Sequence, residues 1–270
     1  MEFFQQIILG IIQGVVEWIP ISSEGALLFV NSNFFSPILD VKLFIRQALF
    51  LHLGTFFAAL IYFRKRIADL ARGSFNYSQS DSETKRTLKF LLIVTIISGV
   101  IGLAVLNFID LVKLQEIPLT SAVINFFIGS LLMITGFLQI KASSAGYRRE
   151  YHLNNTDSIF VGLMQGFAIL PGLSRSGLTI SGLLFRNINE TTALRLSFIM
   201  SLPIVLIGNI VLNFRDIVFI KEMFFGFLTA FIFGLLTIHL LMQFSRKIKF
   251  GYFAIFFGLL SIAAGIIHSL

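Results

Sequence analysis

Six predominantly apolar stretches lie at about residues 43–63, 89–106, 119–140, 193–212, 224–243 and 251–268. Each is long enough to cross a bilayer as a helix. Two further apolar stretches are interrupted. The first, 3–30, is broken by Pro20, Ser22, Ser23, Glu24 and Gly25. The second, 158–185, is broken by Pro171, Gly172, Ser174, Arg175, Ser176 and Gly177. Each half is too short to cross alone, so each stretch reads as a helical hairpin that enters and returns. The pattern predicts an all-α integral membrane protein of about six transmembrane helices plus two re-entrant helical hairpins.

The two interrupted stretches also match each other. Gln13-Gly14 begins twelve residues before Gly25, and Gln165-Gly166 begins twelve residues before Gly177. Pro20 and Pro171 fall near the same point, Ser-rich turns follow both, and three spanning segments follow each hairpin. Residues 1–270 therefore read as one membrane domain made of two pseudo-repeats, 1–140 and 141–270, in an inverted repeat. Charge supports the inversion. Loop 64–89 carries Arg64, Lys65, Arg66, Arg72, Lys85, Arg86 and Lys89; loop 141–157 carries Lys141, Arg148 and Arg149; loop 245–250 carries Arg246, Lys247 and Lys249. The alternate loops, 107–118 and 213–223, hold one and two basic residues. The positive-inside rule puts the first three in the cytoplasm. The first hairpin then enters from outside and the second from inside.

Composition agrees. Hydrophobic residues make up 56%, charged residues only 13%, and the mean hydropathy is +0.87; soluble domains carry about a quarter charged residues. The chain has 32 Phe, more than a soluble core of this size needs. With no cysteine, thiol nucleophiles, thiolate metal sites and disulfides are excluded. The net charge of +7 is no sign of nucleic acid, because the basic residues cluster at the ends of apolar segments, where they meet headgroups. The N-terminal stretch carries Glu2, no basic run and no small-residue cleavage site, so no cleavable signal peptide is expected.

Candidate chemistry lies where charge interrupts apolar sequence. Glu17, Glu24 and Arg175 all sit in the hairpins. A charge at mid-membrane costs at least ~2.5 kcal/mol on insertion scales, so such residues face a cavity, pair, or do chemistry. An inverted repeat would bring the two hairpin tips together near the midplane, where Glu17 and Arg175 share one polar site. Ser174-Arg175-Ser176 with Thr179 at the start of a half-helix combines unpaired backbone N–H groups, a guanidinium fork and hydroxyls, which suits a phosphate. N-capping alone explains the serines but not the arginine. Gln13 and Glu17 share a helical face, and Ser22 and Ser23 follow Pro20. A carboxylate there is a general base or a ligand of a divalent cation. A helix–helix hydrogen bond is a plain alternative for Gln13.

Gln13-Gly-Val-Val-Glu17 followed by Pro20-Ile-Ser-Ser23 resembles the first motif of the BacA/UppP family of undecaprenyl-diphosphate phosphatases. Pro171-Gly-Leu-Ser-Arg-Ser-Gly-Leu-Thr179 is similar to the family's second motif at every fixed position. Residues 48–55, 62–64 and 198–203 and the C-terminal helices also look familial, so the resemblance covers nearly the whole chain. It implies hydrolysis of a polyprenyl diphosphate to its monophosphate at the plasma membrane, with a site open to the outside. That activity recycles the lipid carrier of cell-wall polymers and is linked to bacitracin resistance. By motif position, Glu17 takes the essential acidic role with Gln13 as its helper. Ser23 is a nucleophile or phosphate ligand beside Ser22, and Ser174, Arg175, Ser176 and Thr179 bind the diphosphate. The family is described as needing Mg²⁺ or Ca²⁺, although no metal cage is visible in the sequence. A homodimer is an open expectation.

One departure matters. After Ser-Ser the bacterial pattern reads a small residue, Gly, then His, whereas this chain reads Glu24-Gly25-Ala26. Either Glu24 replaces the His as proton carrier, or His52 reaches the site, or the chain binds lipid phosphates without hydrolysing them. For His52 a plain helix–helix hydrogen bond is the simpler expectation. A transporter or flippase of lipid phosphates on the same fold is the competing class.

Overall fold

The computed structural model describes residues 2–35, 41–111, 120–142, 146–213, 221–244 and 250–269. They form eleven α-helices, with one isolated β-bridge between Arg148 and Ile188. The first hairpin is α1 (Glu2–Val16) and α2 (Ser23–Val30), and α2 runs on into a π-helical turn, Asn31–Phe35. The second hairpin is α7 (Asn155–Phe167) and α8 (Arg175–Phe185). The six predicted spans are α3 (Val41–Tyr62), α5 (Ser82–Leu111), α6 (Ser121–Ala142), α9 (Glu190–Asn213), α10 (Lys221–Phe244) and α11 (Phe250–Ser269). Five of these pass as spans on their own by length and hydropathy, and α3 makes the sixth together with α4 (Arg64–Phe75), against which it is bent by 84°.

One expectation is corrected. Residues 64–89 are not a loop: α4 occupies the first part, and α5 starts at Ser82, well before its apolar run. Asp81 accounts for the early start. Its carboxylate accepts the backbone N–H of Thr84 at 2.8 Å and the Thr84 hydroxyl at 2.8 Å, capping α5. Glu83, Lys85, Arg86 and Lys89 are good helix formers, so the helix continues through polar sequence that an apolar-run criterion ignores. The basic residues Arg246, Lys247 and Lys249 lie outside the described residues.

The molecule is dressed for lipid. Leu92, Ile96, Val100 and Leu103 of α5 and Phe253 and Phe256 of α11 are all more than half exposed, while Gln13, His52, Asn125, Thr135, Gln165 and Ser197 are buried. In water that arrangement would be unstable; in a bilayer it puts apolar side chains on the tails and pairs polar ones inside. Close helix contacts run through small residues. A Cβ on Gly258 would meet the Gly129 carbonyl oxygen at 2.8 Å, and one on Gly251 would meet the Gly136 carbonyl oxygen at 2.8 Å, so α6 and α11 touch backbone to backbone.

Helix α6 shows where the hairpins lie. Near its start, the Ser121 hydroxyl donates to the Ser32 carbonyl oxygen at 3.1 Å, and Asn125 and Asn33 exchange side-chain hydrogen bonds at 3.2 Å. That is the foot of the first hairpin. Near its middle, a Cβ added to Gly25 or to Gly172 would meet Ile128 at 3.2 or 3.1 Å, and Thr135 Oγ1 accepts from Ser174 N at 3.3 Å. Those are the two tips. At its end, Ala142 packs in a cluster with Leu153, Leu183, Leu184 and Ile188, the foot of the second hairpin. The hairpins therefore come from opposite ends of the bundle and meet half-way along it.

Candidate functional site

Helix α1 stops at Val16, and Pro20 lies in the break that follows. Trp18, in the break, is buried and edge-on to Phe198 of α9 at 4.9 Å between ring centroids. Ser22 restarts the chain as N-cap of α2. Its hydroxyl accepts from Gly25 N at 3.2 Å and, across the interface, from Gly172 N at 3.2 Å. Ser22 holds φ 69°, a left-handed conformation unusual for serine. Its two accepted hydrogen bonds, one from each tip, hold it there. On the second tip, Gly172 at φ 105° makes a turn that no L side chain favours. Ser174 then caps α8, accepting from Gly177 N at 3.0 Å. Two half-helices thus begin side by side with their unpaired N–H groups and positive dipole ends converging.

Glu17 lies where they converge. Its Oε1 is ion-paired to Arg175 Nη2. Its Oε2 accepts from Ser23 Oγ at 2.6 Å and Gln13 Nε2 at 3.0 Å, and faces His52 Nε2 at 3.2 Å. Its backbone carbonyl oxygen accepts from Ser176 Oγ at 3.4 Å. Arg175 also donates from Nη1 to the Ser197 carbonyl oxygen at 3.2 Å, which fixes the plane of the guanidinium. Ser174 Oγ and Ser176 Oγ are 3.3 Å apart. Thr179 Oγ1 is bonded to the Arg175 carbonyl oxygen at 2.8 Å and to Ser197 Oγ at 2.7 Å, so it braces the first turn of α8. Glu24 Oε1 lies 3.4 Å from His52 Nε2.

All nine residues expected from sequence are therefore in one cluster: Gln13, Glu17, Ser22, Ser23, Glu24, Ser174, Arg175, Ser176 and Thr179. Most are buried, but the Glu24 side chain is 33% exposed, which marks the open side. His52 makes the interhelical contact expected of it, and makes it inside the cluster. It makes an intrahelical contact from Nδ1 to the Ala48 carbonyl oxygen at 2.7 Å, but its Nε2 points into the site. The signal was a titratable ring in the middle of an apolar span. Ser197, Thr135 and Gln139, whose Nε2 donates to the Pro20 carbonyl oxygen, gave no such signal, because single polar groups in spanning helices ordinarily serve packing.

The arrangement does not build a metal cage. Among the described residues no group of three or more His, Asp and Glu is placed to hold an ion. Both Glu17 oxygens face donors from Arg175, Ser23, Gln13 and His52, so the carboxylate has its lone pairs engaged. The cluster has the donors that suit an anion, beside carboxylates and an imidazole. A guanidinium, hydroxyls and two helix N-termini surround a point now neutralised by Glu17.

Comparison with known proteins gives the same direction. A family model described as "Bacitracin resistance protein BacA" matches residues 6–263. A protein of Methanococcoides burtonii named undecaprenyl-diphosphatase is 38% identical over 270 residues, covering 97% of this chain and 98% of that protein. Proteins with the same name from Haloarcula marismortui and Saccharolobus solfataricus are each 33% identical, over 98% of this chain and 97% and 96% of their own lengths.

Proposed function

The chain belongs to the BacA family, and on that footing we propose that it is a multi-pass membrane hydrolase of the undecaprenyl-diphosphatase type. It cleaves the phosphoanhydride of a polyprenyl diphosphate to give the lipid monophosphate carrier and inorganic phosphate. The observation that carries the reading is the pairing of Glu17 with Arg175 between two converging helix N-termini. The names of the relatives and the intact second motif, Pro171 to Thr179, point to the same reaction. Nothing in the comparisons favours the lipid-phosphate transporter.

Charge dictates the division of labour. The β-phosphate takes the place Glu17 now fills beside Arg175, with Ser174, Ser176 and the N–H groups at the start of α8 around it. Cleavage spreads negative charge over the phosphoryl oxygens, and preorganised donors in a low-dielectric site stabilise it strongly. Glu17, released from Arg175 by the incoming phosphate, takes the proton of the nucleophile. That nucleophile is water or Ser23 Oγ, which already donates to Glu17 at 2.6 Å. Gln13 holds the carboxylate in place, and Thr179 holds the helix turn that carries Arg175. Among the described residues no group of three or more His, Asp and Glu is placed as a cage for Mg²⁺ or Ca²⁺; a divalent ion, where required, would come in on the diphosphate oxygens. The basic residues of α4 and of the 141–157 segment favour a site opening outside, away from them.

The direct test is phosphate release from a polyprenyl diphosphate by purified protein in detergent. Wild type should turn over, and Glu17→Ala and Arg175→Ala should each lose at least ~10³-fold, the usual worth of a phosphoryl-stabilising arginine. Near-normal turnover in either variant would remove this mechanism, and an inactive wild type would remove the assignment.

A further inference from the structure

The bacterial first motif supplies an imidazole three residues after Ser23, where this chain has Ala26. The structure puts an imidazole at the site from another helix. His52 of α3 is buried, and both of its ring nitrogens face oxygen acceptors. Nδ1 is 2.7 Å from the Ala48 carbonyl oxygen; Nε2 is 3.2 Å from Glu17 Oε2 and 3.4 Å from Glu24 Oε1. A carbonyl oxygen accepts only, so Nδ1 carries a proton. A neutral imidazole has one N–H, and an ionised carboxylate accepts only. The contacts of Nε2 with two carboxylates therefore require one further proton among these three groups. Placed on Nε2, that proton is aimed into the site. Among the described residues, the ionisable groups placed against His52 are Glu17, from the break after α1, and Glu24, from α2, with Arg175 of α8 behind Glu17.

We propose that His52 is the proton donor to the departing lipid monophosphate, doing from α3 the work that an imidazole at position 26 would do from α2. The inference rests on the hydrolase reading. Oxygen of water bonds to the β-phosphorus while the bond from that phosphorus to the bridging oxygen breaks. Glu17 takes the proton of the water, and the bridging oxygen, leaving with the lipid monophosphate, takes the proton of His52 Nε2. The acid is then restored internally, because Glu17 Oε2 returns its proton to His52 Nε2 across 3.2 Å. The electron pair of the broken bond stays on the leaving oxygen, and each turnover consumes one water. If Ser23 attacks first, its own proton follows the same route to Glu17, and water completes the hydrolysis. Glu24, a third exposed, holds Nε2 toward the open side of the cluster, where the lipid leaves.

The test compares wild type, His52→Gln, Ala26→His and the double variant His52→Gln/Ala26→His for phosphate release from a polyprenyl diphosphate. Binding of a non-hydrolysable methylene-bridged diphosphonate lipid and thermal unfolding are measured alongside. Positioned acid catalysis is worth ~10² to 10⁴. His52→Gln should therefore lose about 10²-fold or more in kcat, with analogue binding and unfolding temperature close to wild type. The double variant should recover activity, because position 26 lies one helical turn from Ser23 on the same face of α2. Two results would overturn the proposal. One is near-wild-type kcat in His52→Gln. The other is a loss that follows weakened analogue binding or a lowered unfolding temperature and is not recovered by Ala26→His. In either case an active wild type keeps the hydrolase assignment standing, whereas an inactive wild type fails the assignment itself.

Discussion

The two hairpins are built alike and carry opposite chemistry. Each has a small-residue arm, α1 or α7; each breaks near a proline; and each restarts on a serine whose hydroxyl caps the glycine three residues on, Ser22 with Gly25 and Ser174 with Gly177. Beyond that scaffold they diverge. The first tip presents carboxylates, Glu17 and Glu24, and the second presents Arg175. They also differ at the foot. The first hairpin is tied by a neutral bond from Gln5 Nε2 to Asn31 Oδ1 at 3.2 Å. The second is tied by Asp157 of α7, fully buried, which takes Arg148 at 2.7 and 3.0 Å and Arg186, just past α8, at 2.7 Å. Repetition supplies converging helix starts, and divergence puts opposite charges on them. The same reciprocity runs through the packing, since α1 lies on α10 and α7 lies on α5. We propose from it that 1–140 and 141–270 are related as an inverted pair.

The feet offer the largest contrast. Burial alone would raise the carboxyl of Asp157, but hydrogen bonds from Arg148 and Arg186 outweigh it and hold the group below its ordinary value. Its stabilising share is present above that ordinary value, near 3.8, and is lost as pH falls through the lower folded value. Asp157→Asn leaves two arginines short of a partner and should cost about 3 kcal/mol, as one-sided removal of a buried ion pair does. Gln5→Ala should cost about 1 kcal/mol, the worth of one neutral hydrogen bond. Equal losses in denaturant titrations of detergent-solubilised protein would erase this contrast between the feet.

The arms come next. A Cβ at Gly10 would land on the Gly226 carbonyl oxygen and the Thr229 hydroxyl, whereas at Gly162 it would sit 3.0 Å from Ile97 Cβ. Backbone cannot yield as a side chain can. Gly10→Ala should therefore destabilise by about 3 kcal/mol and Gly162→Ala by about 1 kcal/mol, within the range for overpacked contacts. The reverse order in thermal unfolding would mean that α1 and α10 are not in backbone contact. The smallest difference within a pair is at the caps. Ser174→Ala should cost about 1 kcal/mol, an ordinary cap. Ser22→Ala should cost about 2 kcal/mol, because Ser22 also accepts Gly172 N from the other tip. Identical losses would leave that bridge between the tips without energetic weight.

Much of this was legible in the sequence because lipid imposes a simple code. Apolar runs had to be helices, and the polar, Gly- and Ser-containing stretches after Pro20 and Pro171 interrupt them, whereas the lone Pro203 leaves α9 continuous. Charges inside apolar stretches had to meet, and Glu17 and Arg175 do. What stayed hidden was decided by three-dimensional proximity. Helix α4 and the early start of α5 depend on capping by Asp81 rather than on apolar length. His52 was visible as a mid-span ring, but only the packing of α3 turns Nε2 toward Glu17 and Glu24. Ser197 carries no charge or motif to announce that its carbonyl oxygen orients Arg175.

The central claim is that two half-crossing hairpins from opposite ends of the bundle set Glu17 against Arg175. Because the chain has no cysteine, it can be tested without a background. Glu17→Cys/Arg175→Cys protein in native membranes should be bridged by a short bifunctional methanethiosulfonate, giving an intramolecular gel shift reversed by reductant. A control pair, Glu17→Cys/Tyr77→Cys, should not be bridged. Failure of the first pair to link, or equal linking of both, would contradict the account.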